Sequence, residues 1–158
     1  MLSVQTEKNI IQILLTLSEG ERNIEVSRQV LSDNYDFDSM QIFKYLDFEG
    51  KNYIDSTNLL RFLTYKKIPT NNIEVNFLIF FYDLDYDGFL SYSEFLNFIQ
   101  SEKSIMKEID PNKNIDKLSY NIEYSLTKLL EKEIFLAKNL LNLLKNLQNK
   151  CDFNIQKI

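Results

Sequence analysis

Apolar residues in this chain recur three and four positions apart over nearly its whole length, the period of a helix rather than of a strand. From Val4 to about Ser32, Ile10, Ile11, Leu14, Leu15 and Leu17 make one stripe, which Ile24, Val26, Val30 and Leu31 continue more weakly. Ser18-Glu-Gly-Glu21 stands where a kink or break would fall. Four shorter helical segments follow in two pairs. Met40, Phe43 and Leu46 lead into a polar stretch that Leu59, Leu60, Phe62 and Leu63 lead out of; Ile73, Phe77, Phe80 and Phe81 lead into a second, and Phe95, Phe98 and Ile99 lead out. From Lys117 to Lys150, Ile122, Leu126, Leu129, Leu136, Leu140, Leu143 and Leu147 keep a 3–4 spacing interrupted once, at Glu133. Leu118, Leu130, Ile134, Leu141 and Leu144 widen that stripe. The pattern predicts an all-α chain. An N-terminal helical segment (1–35) precedes a body of two helix–loop–helix units (36–101), a linker (102–116) and a long amphipathic helix with a tail (117–158).

The second polar stretch carries the chemistry. In Asp83-Leu-Asp-Tyr-Asp-Gly-Phe-Leu-Ser-Tyr-Ser-Glu94, carboxylates fall at the first, third, fifth and twelfth places, a glycine at the sixth and a hydroxyl at the ninth. A hard cation such as calcium takes six to eight oxygens, and a short loop can wrap one only if alternate side chains point inward and the chain turns sharply midway. Asp83, Asp85 and Asp87 would each offer a carboxylate oxygen, Phe89 its backbone carbonyl, Ser91 a hydroxyl or a held water, and Glu94 both oxygens. Gly88 would supply the turn, where a positive φ costs least.

This loop and its flanks resemble the EF-hand proteins of the calmodulin superfamily. EF-hands come in pairs, and Asp47-Phe-Glu-Gly-Lys-Asn-Tyr-Ile-Asp-Ser-Thr-Asn58 starts 36 residues before Asp83. The resemblance implies that Ile54 and Leu90, both at the eighth place, pair in a short antiparallel bridge. The first loop departs from the family pattern where the chemistry matters. Lys51 places an ammonium at the fifth position, Asn52 replaces the glycine, and Asn58 replaces the closing glutamate, while Asp47, Glu49 and Asp55 remain. It is expected to hold calcium very weakly or not at all and to brace the second loop. One calcium per chain is therefore expected, with magnesium as the alternative at low calcium. A third acidic stretch, Asp110-Pro-Asn-Lys-Asn-Ile-Asp116, lacks the glycine and reads as a polar linker. Asp152-Phe-Asn-Ile-Gln-Lys-Ile158 echoes Asp36-Phe-Asp-Ser-Met-Gln-Ile42 and resembles the start of a further hand.

Composition narrows the function. A net charge of −5 argues against a duplex nucleic-acid binder, which needs a basic face. No apolar run reaches bilayer length, so no membrane span is expected, and the first residues lack the features of a signal peptide, a presequence or a myristoylation site. Cys151 is the single cysteine and there is no histidine, which removes serine-triad and zinc–histidine chemistry and leaves no support for an enzyme. The bias toward Tyr, Asn, Ile and Lys, with Ala137 as the one alanine, resembles proteins of AT-rich protist genomes.

Two non-catalytic readings compete. The first is a structural or regulatory calcium-binding subunit of a larger assembly; resemblance to protist multi-EF-hand proteins implies the cytoskeleton or cilium within a cytoplasmic setting. The second is a free cytosolic calcium sensor that binds target helices. Sensors with adaptable grooves are rich in methionine, and this chain has only Met1, Met40 and Met106, which favours the assembly subunit. A 117–150 helix would extend about 50 Å, more than a two-unit body covers. Part of its stripe is expected to meet the N-terminal helix, another copy or a different protein. Leu136, Leu140, Leu143 and Leu147 are expected to contact a protein partner.

Overall fold

The computed structural model describes residues 1–104 and 111–149, together with the backbone alone at Lys150. Met106, Asp110, Cys151 and the expected start of a further hand at 152–158 lie outside the described residues. Among the described residues six helices follow one another: α1 (Val4–Ser32), α2 (Ser39–Leu46), α3 (Ser56–Tyr65), α4 (Asn72–Tyr82), α5 (Tyr92–Ile99) and α6 (Tyr120–Lys150). Among the described residues there is no strand, only an isolated antiparallel bridge between Ile54 and Leu90.

Short polar residues start these helices, as the unpaired N–H groups of a first turn require. Ser3, Asp38, Asp55, Asn71 and Ser91 each accept from the backbone N–H three residues on. At Asp55 and Ser91 the residue three places later returns the bond, closing a capping box.

The helices α2 to α5 form two helix–loop–helix units that pack crosswise, α2 on α5 and α3 on α4. Their side chains belong to one continuous core: Phe43 meets both Tyr92 and Phe95 edge-on, and Phe95 lies beside Phe98. Of the expected inward face of α4, Phe77 packs half-buried against the core, while the rest turns outward. Val75, Leu78 and Ile79 are buried, whereas Ile73 is 70% and Phe80 61% exposed, with Phe81 exposed beside them. This helix is apolar on nearly every side, so its spacing could not single out the face that α3, α5 and α6 would cover.

The most extensive helix contact joins α1 to α6. Asn34 bonds Ser125, Arg28 meets Glu133, Lys132 reaches the Asn23 carbonyl and Gly20 lies against Leu136, so the two helices run antiparallel. Each presents a seam of alternating three- and four-residue steps. On α1 it runs through Thr6, Ile10, Ile13, Leu17, Gly20, Ile24, Ser27 and Leu31, all buried or half-buried. On α6 it runs through Ile122, Leu126, Leu129, Glu133, Leu136, Leu140, Leu143 and Leu147, of which all but the half-buried Leu143 are buried.

Three sequence expectations are corrected here. First, Leu136, Leu140 and Leu147 do not wait for a partner protein; they are buried within the chain itself. Of the three expected covers for the stripe, the N-terminal helix takes the part assigned to a partner, because its 29 residues lie alongside α6. Second, α1 does not break at Ser18–Glu21. Gly20 lowers helix propensity, but a β-carbon there would lie 2.4 Å from Leu136 Cδ1, so the glycine is what lets the helices approach. Third, Ile11, Leu14, Leu15, Val26 and Val30 of the expected α1 stripe are exposed, because small and polar residues hold several of the seam positions.

Glu133, the interruption in the α6 stripe, meets Arg28 of the facing helix. Tyr82 Oη donates to Glu133 Oε1 at 2.6 Å, Arg28 Nη2 donates to Tyr82 Oη and lies 3.5 Å from Glu133, and Arg28 Nε donates to the Phe98 carbonyl at 3.0 Å. Burial pushes the Glu133 carboxyl up to about 8 against the pull of Tyr82 and Arg28. Tyr82 closes α4 immediately before Asp83, so this cluster fastens one end of the acidic loop to both long helices.

Candidate metal centre

The segment Asp83–Ser91 joins the end of α4 to the start of α5 and turns back on itself through two left-handed residues, Tyr86 at φ 58° and Gly88 at φ 84°. A β-carbon on Gly88 would meet nothing within 4 Å, so this glycine answers a backbone need rather than crowding. Tyr86 is the less expected of the two, since bulky residues seldom adopt that conformation.

The turn is drawn together by its own carboxylates. Asp83 accepts from the Asp87 and Gly88 N–H groups at 3.2 and 2.8 Å. Asp85 also accepts from Asp87 N–H, and Asp87 accepts from Phe89 N–H at 2.9 Å. Glu94 reaches back from the first turn of α5: one oxygen accepts from Leu84 and Asp85 N–H, the other from Ser91 N–H and Ser91 Oγ. Asp83, Asp85, Asp87 and Glu94 thereby bring one carboxylate oxygen each to within 4.8 Å of one another. Among the described residues none of the four is ion-paired.

The electrostatics follow from that convergence. Loss of hydration, and then the nearness of Asp83, Asp87 and Glu94, hold the Asp85 carboxyl above the ordinary aspartate range despite a bond from Asp87 N–H. Burial works to raise Glu94 as well, but the donors from Ser91, Leu84 and Asp85 outweigh it and hold that carboxyl below its usual range. Two buried acids, Asp83 and Glu94, thus face two exposed ones across an oxygen-lined turn. The set fits a hard divalent cation: it supplies oxygen donors, converging geometry and negative charge that no ion pair among the described residues balances. Of the other two expected ligands, Ser91 uses its hydroxyl to bond Glu94 and cap α5, and Phe89 stacks its ring on Tyr53 at 4.3 Å between centroids.

The loop at 47–58 repeats this backbone with different charges. Asp47 accepts from Lys51 and Asn52 N–H at 2.9 and 2.7 Å, as Asp83 does from the corresponding pair. Gly50 and Asn52 take the left-handed places, at φ 70° and 65°. Ile54 and Leu90 exchange N–H···O bonds of 2.9 and 2.8 Å, so the two loops lie side by side. Lys51 Nζ lies 2.6 Å from Glu49 Oε2 and 2.6 Å from Asp55 Oδ2. Asn58 bonds Asp55 N–H through Oδ1 and leaves its buried Nδ2 without a partner. The linker stretch gathers no further acidic group among the described residues; Asn114 and Lys117 accept from Gln41 of α2 through their carbonyls instead.

Sequence reasoning did not find the supports around the acidic turn. Tyr82, Arg28 and Glu133 come together from three helices across sequence separations of 51 to 105 residues, and the one available signal was a charged residue interrupting a leucine stripe. Compared with protein-family models, with curated proteins and with solved structures, the chain finds no match.

Proposed function

We propose that the two helix–loop–helix units are an EF-hand pair in which the second loop binds one calcium ion and the first binds none. The observation that carries this reading is the convergence of four carboxylates within 4.8 Å with no ion-pair partner among the described residues. Asp83, Asp85, Asp87 and Glu94 would hold the ion by side-chain oxygens, Phe89 by its carbonyl and Ser91 directly or through water; magnesium is the alternative occupant at low calcium. The bound ion would supply the positive charge that the turn lacks. The role is non-catalytic, that of a structural or regulatory subunit in a protein assembly. Exposed apolar side chains on α1 (Ile11, Leu14, Leu15) and α4 (Ile73, Phe80) support protein contact, and they replace the α6 leucines as its carriers. Calorimetric titration of chelator-treated protein with calcium tests the reading. A stoichiometry near one that Glu94→Gln removes is expected; two ions per chain, or binding that survives Glu94→Gln, would reject it.

A further inference from the structure

We propose that Lys51 is the resident cation of the first loop: its ammonium takes the place of a metal ion, closes residues 47–58 without one, and so holds Ile54 ready for the bridge to Leu90. The geometry is that of an ion between ligands. Glu49 and Asp55 occupy the third and ninth places of the loop, both positions at which a carboxylate would face a bound ion, and the ammonium bridges them at 2.6 Å on each side. Charge-assisted contacts of this length are among the stronger hydrogen bonds, and an ammonium offers three donors from a compact centre. The ring of Tyr53 lies 5.0 Å from the same nitrogen and adds its electron-rich face. Bonds from Lys51 raise its own affinity for the proton and, against partial burial, depress that of Asp55, so the pair stays charged.

The rest of the loop agrees. Asp47 accepts two backbone N–H groups, as Asp83 does, so the turn itself is drawn together in either loop by the chain's own donors. Lys51 offsets part of the loop's negative charge from inside, and Asn58 at the twelfth place serves as the reciprocal half of the capping box at Asp55. A divalent ion could enter only by expelling the ammonium. A loop closed in this way presents the Ile54 N–H and C=O in position before any ion arrives, and an edge already ordered reduces the ordering cost of binding next door. The effect on the second loop rests on the calcium reading above; closure of the first loop does not.

The test uses the full chain and two readouts. In EDTA, amide hydrogen exchange at Ile54 and Leu90 follows the bridge; calcium titration follows the second loop. Lys51→Met is expected to speed exchange at both amides about tenfold and to weaken calcium binding about three- to tenfold, in keeping with the modest worth of part-exposed ion pairs. Lys51→Arg, which keeps a cation, should preserve both. Lys51→Asp/Asn58→Glu trades the ammonium for room and a clamp: it should lose protection in EDTA, regain it with calcium and take up a second ion. Unchanged exchange in Lys51→Met, or full protection of the double variant in EDTA, would overturn the proposal. Wild-type protein that binds no calcium would refute the calcium reading alone, and the exchange in EDTA would still decide this one.

Discussion

Two loops that begin 36 residues apart share a backbone and differ in how their charge is settled. In both, an aspartate at the first place gathers the N–H groups four and five residues on, two left-handed residues make the turn, and a capping box opens the next helix. In one, an ammonium stands between carboxylates; in the other, four carboxylates converge with no cation among them. The shape of such a loop is therefore set by local hydrogen bonds and handedness. On the proposed reading, its appetite for a metal is set separately, by whether the protein has already supplied the cation.

The strongest way to break this comparison is to remove the clamp. Glu94→Gln keeps the shape and capping capacity of the side chain but not its charge. Calcium affinity should fall at least about 100-fold, roughly 2.7 kcal/mol, by calorimetry. The next test asks whether the backbones are equivalent. Gly50→Ala and Gly88→Ala both add a methyl into open space at positive φ, so each should cost about 1–2 kcal/mol of metal-free stability, and the two costs should agree in chemical denaturation. A third test looks for opposite signs. Asp55→Ala removes a helix cap and a partner of Lys51 and should lower metal-free stability by about 1 kcal/mol, whereas Asp85→Asn relieves like charge and should raise the melting temperature in EDTA. The smallest effect lies in acid. Folding raises Asp85 above its ordinary value of 3.8, so the folded state binds the extra proton and loses stability as pH climbs from 3.8 through the higher value. Folding lowers Asp55 below 3.8, so its contribution is present above that value and disappears as pH falls through the depressed one. Denaturation midpoints in EDTA should accordingly show the benefit of Asp85→Asn growing upward from about pH 4 and the penalty of Asp55→Asn vanishing below it.

Much of the helical plan was legible because it is written in local terms. The 3–4 spacing around Met40, Leu59 and Phe95 and the eighth-place match of Ile54 and Leu90 both depend on local pattern. The meeting of Asp83, Asp85, Asp87 and Glu94 was legible for the same reason, since twelve residues contain it. What escaped depends on partners distant in sequence. The α1 seam is carried partly by Thr6, Gly20 and Ser27, which a search for large apolar side chains passes over. On α4, Ile73 and Phe80 looked like core because nothing local says which side of an apolar helix its neighbours will take. Arg28, Tyr82 and Glu133 acquire a shared role only when three helices meet.

The antiparallel pairing of α1 with α6 also fixes an order of events in folding. The two loop units bring together residues a few dozen positions apart, but Arg28 and Glu133 are separated by 105. Closing so long a span costs more chain entropy before any contact repays it, and contacts of that kind form slowly. During synthesis α1 leaves the ribosome first and must wait for α6 with its buried seam, Ile24 and Leu31 included, uncovered.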